Sequence, residues 1–461
     1  MLRGIVVVLS LLVMAAASAA PRESSGVAPS GAWYSIAVPE GWQAGDALVL
    51  YQHGFNFELP DSAPGLGPLA KVMLDEGYAV AATGYSQRGW ALFTAIRDNR
   101  ELLGIFDAEF GAPGEIVPFG GSMGGLIALR LAEARGLPPV KGVYALCPAA
   151  AGARLWDAAI DLRLAYDVVC RDAGELPTGA EPLPWAFDLD MIPVDLDDVS
   201  DARKVLPALL PVIQCTGLGL PAGVRNGAMK RRLAQLMAFA GISDEDFFIT
   251  NLAYATFVLG DLVRAPDKLA GRNPFTTAGV DYASNAAVES DIARIGADPE
   301  AAIALGLSSD FRGAIGTAKV LSIHTSRDQL VIPGNQDFLR ARLDSAQLTS
   351  AIVTEDAPSH CGFTAAEGLA GWEALRAWKD GAAQPAVADL QQACGELVAG
   401  GDAEGPCRFD PEAEIEPFDA VVRPRPTASG IPVLPAPLPP PALKPPAHRR
   451  GGSAPGAASA Y

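Results

Sequence analysis

Histidine is scarce in this chain, with four among 461 residues. Positive charge is also in deficit: 35 Lys and Arg stand against 53 Asp and Glu, for a formal net charge of −18. No basic patch is present, which argues against a nucleic-acid partner. Such acidity favours solubility and says little about chemistry. No group of Cys and His has metal-ligand spacing, so neither a metal nor a cofactor is implied. Beyond the first residues no uninterrupted apolar run is long enough to cross a bilayer, and no retained transmembrane span is expected. There is no internal repeat.

What is present begins with an export signature. Met1-Leu2-Arg3 precedes the apolar run Gly4–Met14, and Ala17-Ser18-Ala19 supplies a small-x-small cleavage site. Residues 1–19 read as a signal peptide, with a retained anchor as the alternative, and place the protein outside the cell or in a periplasm. Six cysteines in an exported chain allow fifteen complete pairings. Cys394 and Cys407 bracket a Gly-rich turn, Cys170 and Cys215 share the middle region, and Cys147 and Cys361 remain as a third pair. Hydrophobic residues make up 49% and charged residues 19%, enough for an extensive core in one large domain with an insertion, or in two to three domains.

The chemistry centres on Phe119-Gly120-Gly121-Ser122-Met123-Gly124-Gly125, which follows the apolar run Ile116-Val117-Pro118. Gly-x-Ser-x-Gly between a strand and a helix is a sharp bend that holds the serine hydroxyl above a sheet and aims the next backbone N–H at an attacked carbonyl. A serine nucleophile needs a base, and the base needs an orienting carboxylate. Elimination among the histidines is possible. His448 lies in a Pro-rich tail, His53 ends an early strand and His324 falls within a strand. His360 sits in a loop after the late strand-like Ala351-Ile352-Val353-Thr354, a place from which it can reach across a site. Asp328, in the loop after the strand before that one, is the acid of choice; Glu355 and Asp356 are its rivals. The order Ser122, Asp328, His360 matches one of the known arrangements of such triads. Gly84-Tyr85-Ser86-Gln87-Arg88-Gly89 imitates the motif, but Arg88 stands where glycine belongs, so Ser86 reads as a loop residue near the cleft.

With these residues in place the chain resembles the α/β-hydrolase family, over about residues 32–150 and 313–381. The matching features are Gly120-Gly121-Ser122-Met123-Gly124, His53-Gly54-Phe55, Asp328 with Val331-Ile332-Pro333, and His360-Cys361-Gly362-Phe363-Thr364. The resemblance implies an α/β fold: a mostly parallel sheet with helices on both faces. It further implies hydrolysis through an acyl-enzyme, with an oxyanion hole formed by the N–H groups of Met123 and Phe55. Gly120 and Gly124 would form the elbow, and His53 and Gly54 would support the oxyanion loop. Phe55-Asn56 after His53-Gly54 departs from the His-Gly-Gly-Gly loop of some lipase-like members.

Organisation along the chain agrees. Strands are expected at 33–38, 46–52, 78–83, 115–119 and 141–147, with helices near 66–77, 91–108 and 123–135, an alternation that argues for a parallel sheet. Residues 20–150 and 313–381 then form the two parts of the core, and the site should lie past the strand ends. Residues 151–312 lose the strand rhythm and carry amphipathic helices at 156–166, 229–239 and 247–258, so a mainly helical cap is expected there. Its densest aromatic cluster, Phe247, Phe248, Tyr254 and Phe257, is the candidate for lining an apolar cleft. Helix 369–378 closes the core, 382–423 is an extension, and 424–461, rich in Pro, reads as disordered. The expected activity is serine ester hydrolysis of a small-molecule or oligomeric ester. The alternatives are a prolyl-oligopeptidase-like peptidase, a non-catalytic binding protein on the same fold, and acyl transfer to an alcohol other than water. Oligomeric state is not legible.

Overall fold

The computed structural model describes residues 20–176, 187–192, 199–282 and 285–425. The expected signal peptide and residues 426–461 of the Pro-rich tail, His448 included, lie outside the described residues. Eight strands form one sheet: β1 (Arg22–Val27), β2 (Trp33–Val38), β3 (Ala47–Gln52), β4 (Ala79–Thr83), β5 (Glu115–Gly121), β6 (Gly142–Leu146), β7 (Lys319–Thr325) and β8 (Leu348–Val353). Their order is β1-β2-β4-β3-β5-β6-β7-β8. β2 runs antiparallel to both of its neighbours, and every pairing from β4 through β8 is parallel.

The central strands are apolar because helices cover both faces of the sheet. Successive side chains of a strand point to opposite faces, so Leu48 and Leu50 of β3 join one core cluster while Val49 joins the other. Helices α1 (Ala70–Asp75), α2 (Ala95–Phe110) and α3 (Met123–Glu133) occupy the first half of the chain. A short 3₁₀ turn at Ala91–Phe93 precedes α2, and α1 is shorter than its sequence pattern suggested. Among the described residues between β6 and β7 the regular elements are helical: α4 (Ala153–Val169), α5 (Val199–Thr216), α6 (Gly227–Ala240), α7 (Glu245–Ala253), α8 (Leu259–Arg264), α9 (Ala286–Asp291) and α10 (Pro299–Ser309). A π-helical turn, Tyr254–Val258, joins α7 to α8. The continuous run Glu245–Arg264 is by length and composition apolar enough to cross a membrane, but it lies largely buried within the fold. Then come α11 (Asn335–Arg340), α12 (Ala365–Lys379), α13 (Val387–Gly400) and α14 (Phe418–Val421).

Three features add to or revise the sequence reading. β1, Arg-Glu-Ser-Ser-Gly-Val, was not anticipated: it has almost no apolar signal, and its register comes from pairing with β2. The extension after the core carries α13, stapled by Cys394–Cys407. The expected start of the disordered tail at 424 is too early, because Pro424 lines a cavity and Arg425 is paired to Asp157 of α4.

Candidate active site

Ser122 sits between β5 and α3 with φ 56° and ψ −126°. A non-glycine residue rarely adopts positive φ, and such backbone strain clusters where it serves a site. Glycine is required on both sides. A Cβ on Gly124 would lie 2.1 Å from the carbonyl oxygen of Gln52, and one on Gly120 would lie 2.5 Å from the same atom. The bend is pinned from the neighbouring strand, where Ser122 N–H donates to Leu146 O at 2.9 Å, and Ser122 O accepts from Ala149 N–H at 3.1 Å.

Three residues distant in sequence meet at that bend. Ser122 Oγ lies 2.9 Å from His360 Nε2, and His360 Nδ1 lies 2.7 Å from Asp328 Oδ2. Asp328 is almost wholly buried, and its other oxygen accepts the N–H groups of Leu330 and Val331 at 2.9 and 3.0 Å. The carboxylate is therefore held from two sides, and its geometry favours a proton on Nδ1 and an acceptor at Nε2 facing the serine. Of the rivals, Glu355 accepts from Ser359 Oγ, and the acid bonded to His360 Nδ1 is Asp328. His324 is fully buried beneath the acid loop. Its Nε2 donates to Val331 O at 2.6 Å, bracing the turn that carries Asp328, and burial pushes its imidazole below the ordinary range.

His53-Gly54-Phe55 leaves β3 beside the elbow. A Cβ on Gly54 would lie 3.9 Å from the Ser122 Cβ, so this loop runs alongside the nucleophile. The His53 ring turns back, Nδ1 donating to Gly54 O at 2.7 Å, and stacks 4.2 Å from Tyr85. The Tyr85 hydroxyl donates to His53 O at 3.2 Å, and Gln52 and Asn99 exchange side-chain amide bonds beneath. Met123 opens α3, where the first N–H groups have no intrahelical partner. Both Met123 and Phe55 line the cavity at Ser122. Ser86 is a loop residue, as expected, but it does not line the cavity and its hydroxyl is bound to Asp98.

The cavity measures about 820 Å³, in the upper range for a small-molecule site. Besides Ser122 its walls include the apolar Phe55, Trp90, Leu155 and Leu162 and the polar Asp161, Tyr282 and Arg423. The expected aromatic cluster divides. Of its four members only Tyr254 lines the cavity, its ring centroid 5.1 Å from that of Phe55 in a tilted contact, and burial pushes its hydroxyl up to about 12. Phe248 and Phe257 are buried in the core. Sequence reasoning missed residues 414–424, which return from beyond α13 to line the same cavity. The available signal was faint: Asp157 and Asp161 four apart on one helix, and Arg423 and Arg425 two apart.

All three cysteine pairs considered from the sequence are bonded: Cys147–Cys361, Cys170–Cys215 and Cys394–Cys407. The first ties the His360 loop to the end of β6. Cys147, Cys361, Asp328 and His360 together have the proximity of a metal site. Both sulfurs are nevertheless committed to the disulfide, and Asp328 and His360 to each other.

The sheet order, the strained serine between β5 and α3, and an acid after β7 with a histidine after β8 define an α/β-hydrolase fold. No protein-family model and no curated protein matches the chain. Solved structures do. An esterase from Aspergillus oryzae is 15% identical with a TM-score of 0.40, over 78% of this chain and 79% of that one. An epoxide hydrolase described as an α/β-hydrolase superfamily member from metagenomes of hot environments is 14% identical with a TM-score of 0.35, over 78% and 96%. A puromycin hydrolase is 13% identical with a TM-score of 0.36, over 79% of this chain and 40% of that one. No activity is carried over from these likenesses.

Proposed function

We propose that the protein is an exported serine hydrolase that cleaves a carboxylic ester through an acyl-enzyme. The observation that carries this reading is the continuous chain Asp328–His360–Ser122, at 2.7 and 2.9 Å. In the reaction His360 Nε2 takes the hydroxyl proton as Ser122 Oγ attacks the ester carbonyl. Asp328 stabilises the imidazolium without taking its proton. The N–H groups of Met123 and Phe55 receive the oxyanion. His360 returns the proton to the leaving alcohol, a water then takes the alcohol's place, and the same steps run again to release the acid. No bound cofactor enters these steps. The helical segment between β6 and β7 acts as a cap that shapes the cavity. Three disulfides support an extracellular or periplasmic setting.

The test is turnover of p-nitrophenyl acyl esters and aminoacyl anilides, with Ser122→Ala as control. The ester series should be hydrolysed and the anilides left intact. Ser122→Ala should lose about a million-fold in rate, and a fluorophosphonate should label wild-type protein at Ser122. Label on Ser86, or activity surviving the substitution, would overturn the assignment.

A further inference from the structure

The cavity has a wall made by a segment far outside the catalytic core. After α13 the chain comes back to line the cavity, and the strap 417–425 is fastened along its length. Phe418 is buried against Phe338 at 5.4 Å, with the Arg154 guanidinium 5.0 Å from its ring centroid. Arg154 Nη2 donates to the carbonyls of Val422 and Arg423 at 3.1 and 2.8 Å. Arg423 then forms a two-pronged pair with Asp161 at 2.5 and 3.1 Å, and Arg425 forms another with Asp157 at 2.6 and 3.2 Å.

The spacings match. Asp157 and Asp161 stand four residues apart on α4, a rise of about 6 Å. Arg423 and Arg425 stand two apart, about 6.6 Å in an extended chain. The strap therefore lies along α4 in one register. Asp161 also accepts the Tyr282 hydroxyl at 2.6 Å, and Asp161, Tyr282 and Arg423 all line the cavity. Between the fastenings Ala420, Val421 and Val422 face the cavity that Leu155, Ala159 and Leu162 of α4 line. A bidentate Arg–carboxylate pair fixes orientation as well as position, and two of them hold this wall in place.

We propose that the strap is the element that sets substrate length. Ala420 and Val421 form the stop against which the longer apolar part of the substrate packs. The proposal rests on the ester-hydrolase reading for its chemistry, though not for the fit of an apolar chain. Val421 is 38% exposed, so its replacement leaves the buried fastenings intact. Ala420 is also exposed and provides a second position.

The experiment compares wild type with Val421→Trp and Ala420→Trp in the full chain. Each is assayed on p-nitrophenyl butyrate and decanoate, on butyl and octyl acetate, and for binding of cis-parinaric acid, a fluorescent fatty acid. In at least one series the ratio of long-chain to short-chain kcat/KM should fall about tenfold or more, the discrimination that one methylene's room commands in an apolar pocket. Circular dichroism and the melting temperature of each variant should match wild type, which checks that the substituted chain is folded. Affinity for the fatty acid should fall in parallel. Unchanged length profiles and unchanged fatty-acid affinity in a folded variant would overturn the strap's role. If no ester is turned over and Ser122 is not labelled, the hydrolase reading fails. The strap is then decided by binding alone: weaker binding in the Trp variants upholds it, and equal binding rejects it.

Discussion

Replacing Asp328 by Asn tests the orienting role of the acid, and the structure dictates which way the new amide must face. Asp328 Oδ1 accepts two backbone N–H groups, from Leu330 and Val331, while Oδ2 faces His360 Nδ1. An asparagine that keeps its oxygen on the two N–H groups must turn its NH₂ toward His360. The flipped orientation would set donors against donors in a buried site, losing two hydrogen bonds worth about 1 kcal/mol each and adding a desolvation penalty of about 1–3 kcal/mol. The amide therefore donates to Nδ1, and the imidazole proton moves to Nε2, where it faces Ser122 Oγ and cannot accept the hydroxyl proton. The expected result is a fall of about four orders of magnitude in kcat, with the melting temperature little changed. The assay is kcat on a short p-nitrophenyl ester, with circular dichroism as the check on folding. Glu355→Gln should cost less than about tenfold, since Glu355 bonds Ser359 and not His360. A folded Asp328→Asn enzyme within tenfold of wild type, or a larger loss in Glu355→Gln, would refute the assignment of the acid.

Replacing both Cys147 and Cys361 by Ser opens a closure spanning 214 residues. It should lower stability by up to about 5 kcal/mol on the chain-entropy estimate and reduce kcat by releasing the His360 loop; unchanged kcat in the folded variant would remove that loop-holding role. Peptide mapping of the oxidised protein should recover the three bridges, and any other connectivity contradicts the structure. Glu115 provides a pH test. Burial pushes its carboxyl up, but hydrogen bonds from Lys141 and Lys379 outweigh this and hold it below its usual 4.5. A folded-state value below the unfolded one adds stability that is present above pH 4.5 and lost as pH falls through the folded value. Glu115→Gln should therefore cost about 2 kcal/mol at pH 7, and its melting curve should converge on wild type in acid; a gap constant with pH rejects the linkage.

Much of the core was legible because its signals are local. The buried strands β3, β4 and β5 are continuous apolar runs between turns, and Ser122 lies in a pattern only a few residues long. Asp328 and His360 could be chosen because histidines are few and because the loops after the last strands lie at the sheet's active end. The local cysteine pair also followed from proximity in sequence, since Cys394 and Cys407 are 13 residues apart.

What only the tertiary structure decided depends on contacts between distant parts of the chain. β1 is ordered by backbone pairing, to which its polar side chains give no clue. The helical pattern of 247–258 was visible, but which ring faces the cavity depends on the π-helical turn beginning at Tyr254, which changes the helix phase. The strap is the clearest case. Arg423 and Arg425 meet their aspartates across 262 and 268 residues; in sequence Arg423 ends the extension, and Arg425 falls in the Pro-rich stretch that reads as disordered. A charged side chain acquires a fixed position only when burial removes water as its competing partner. That condition is a property of the assembled fold.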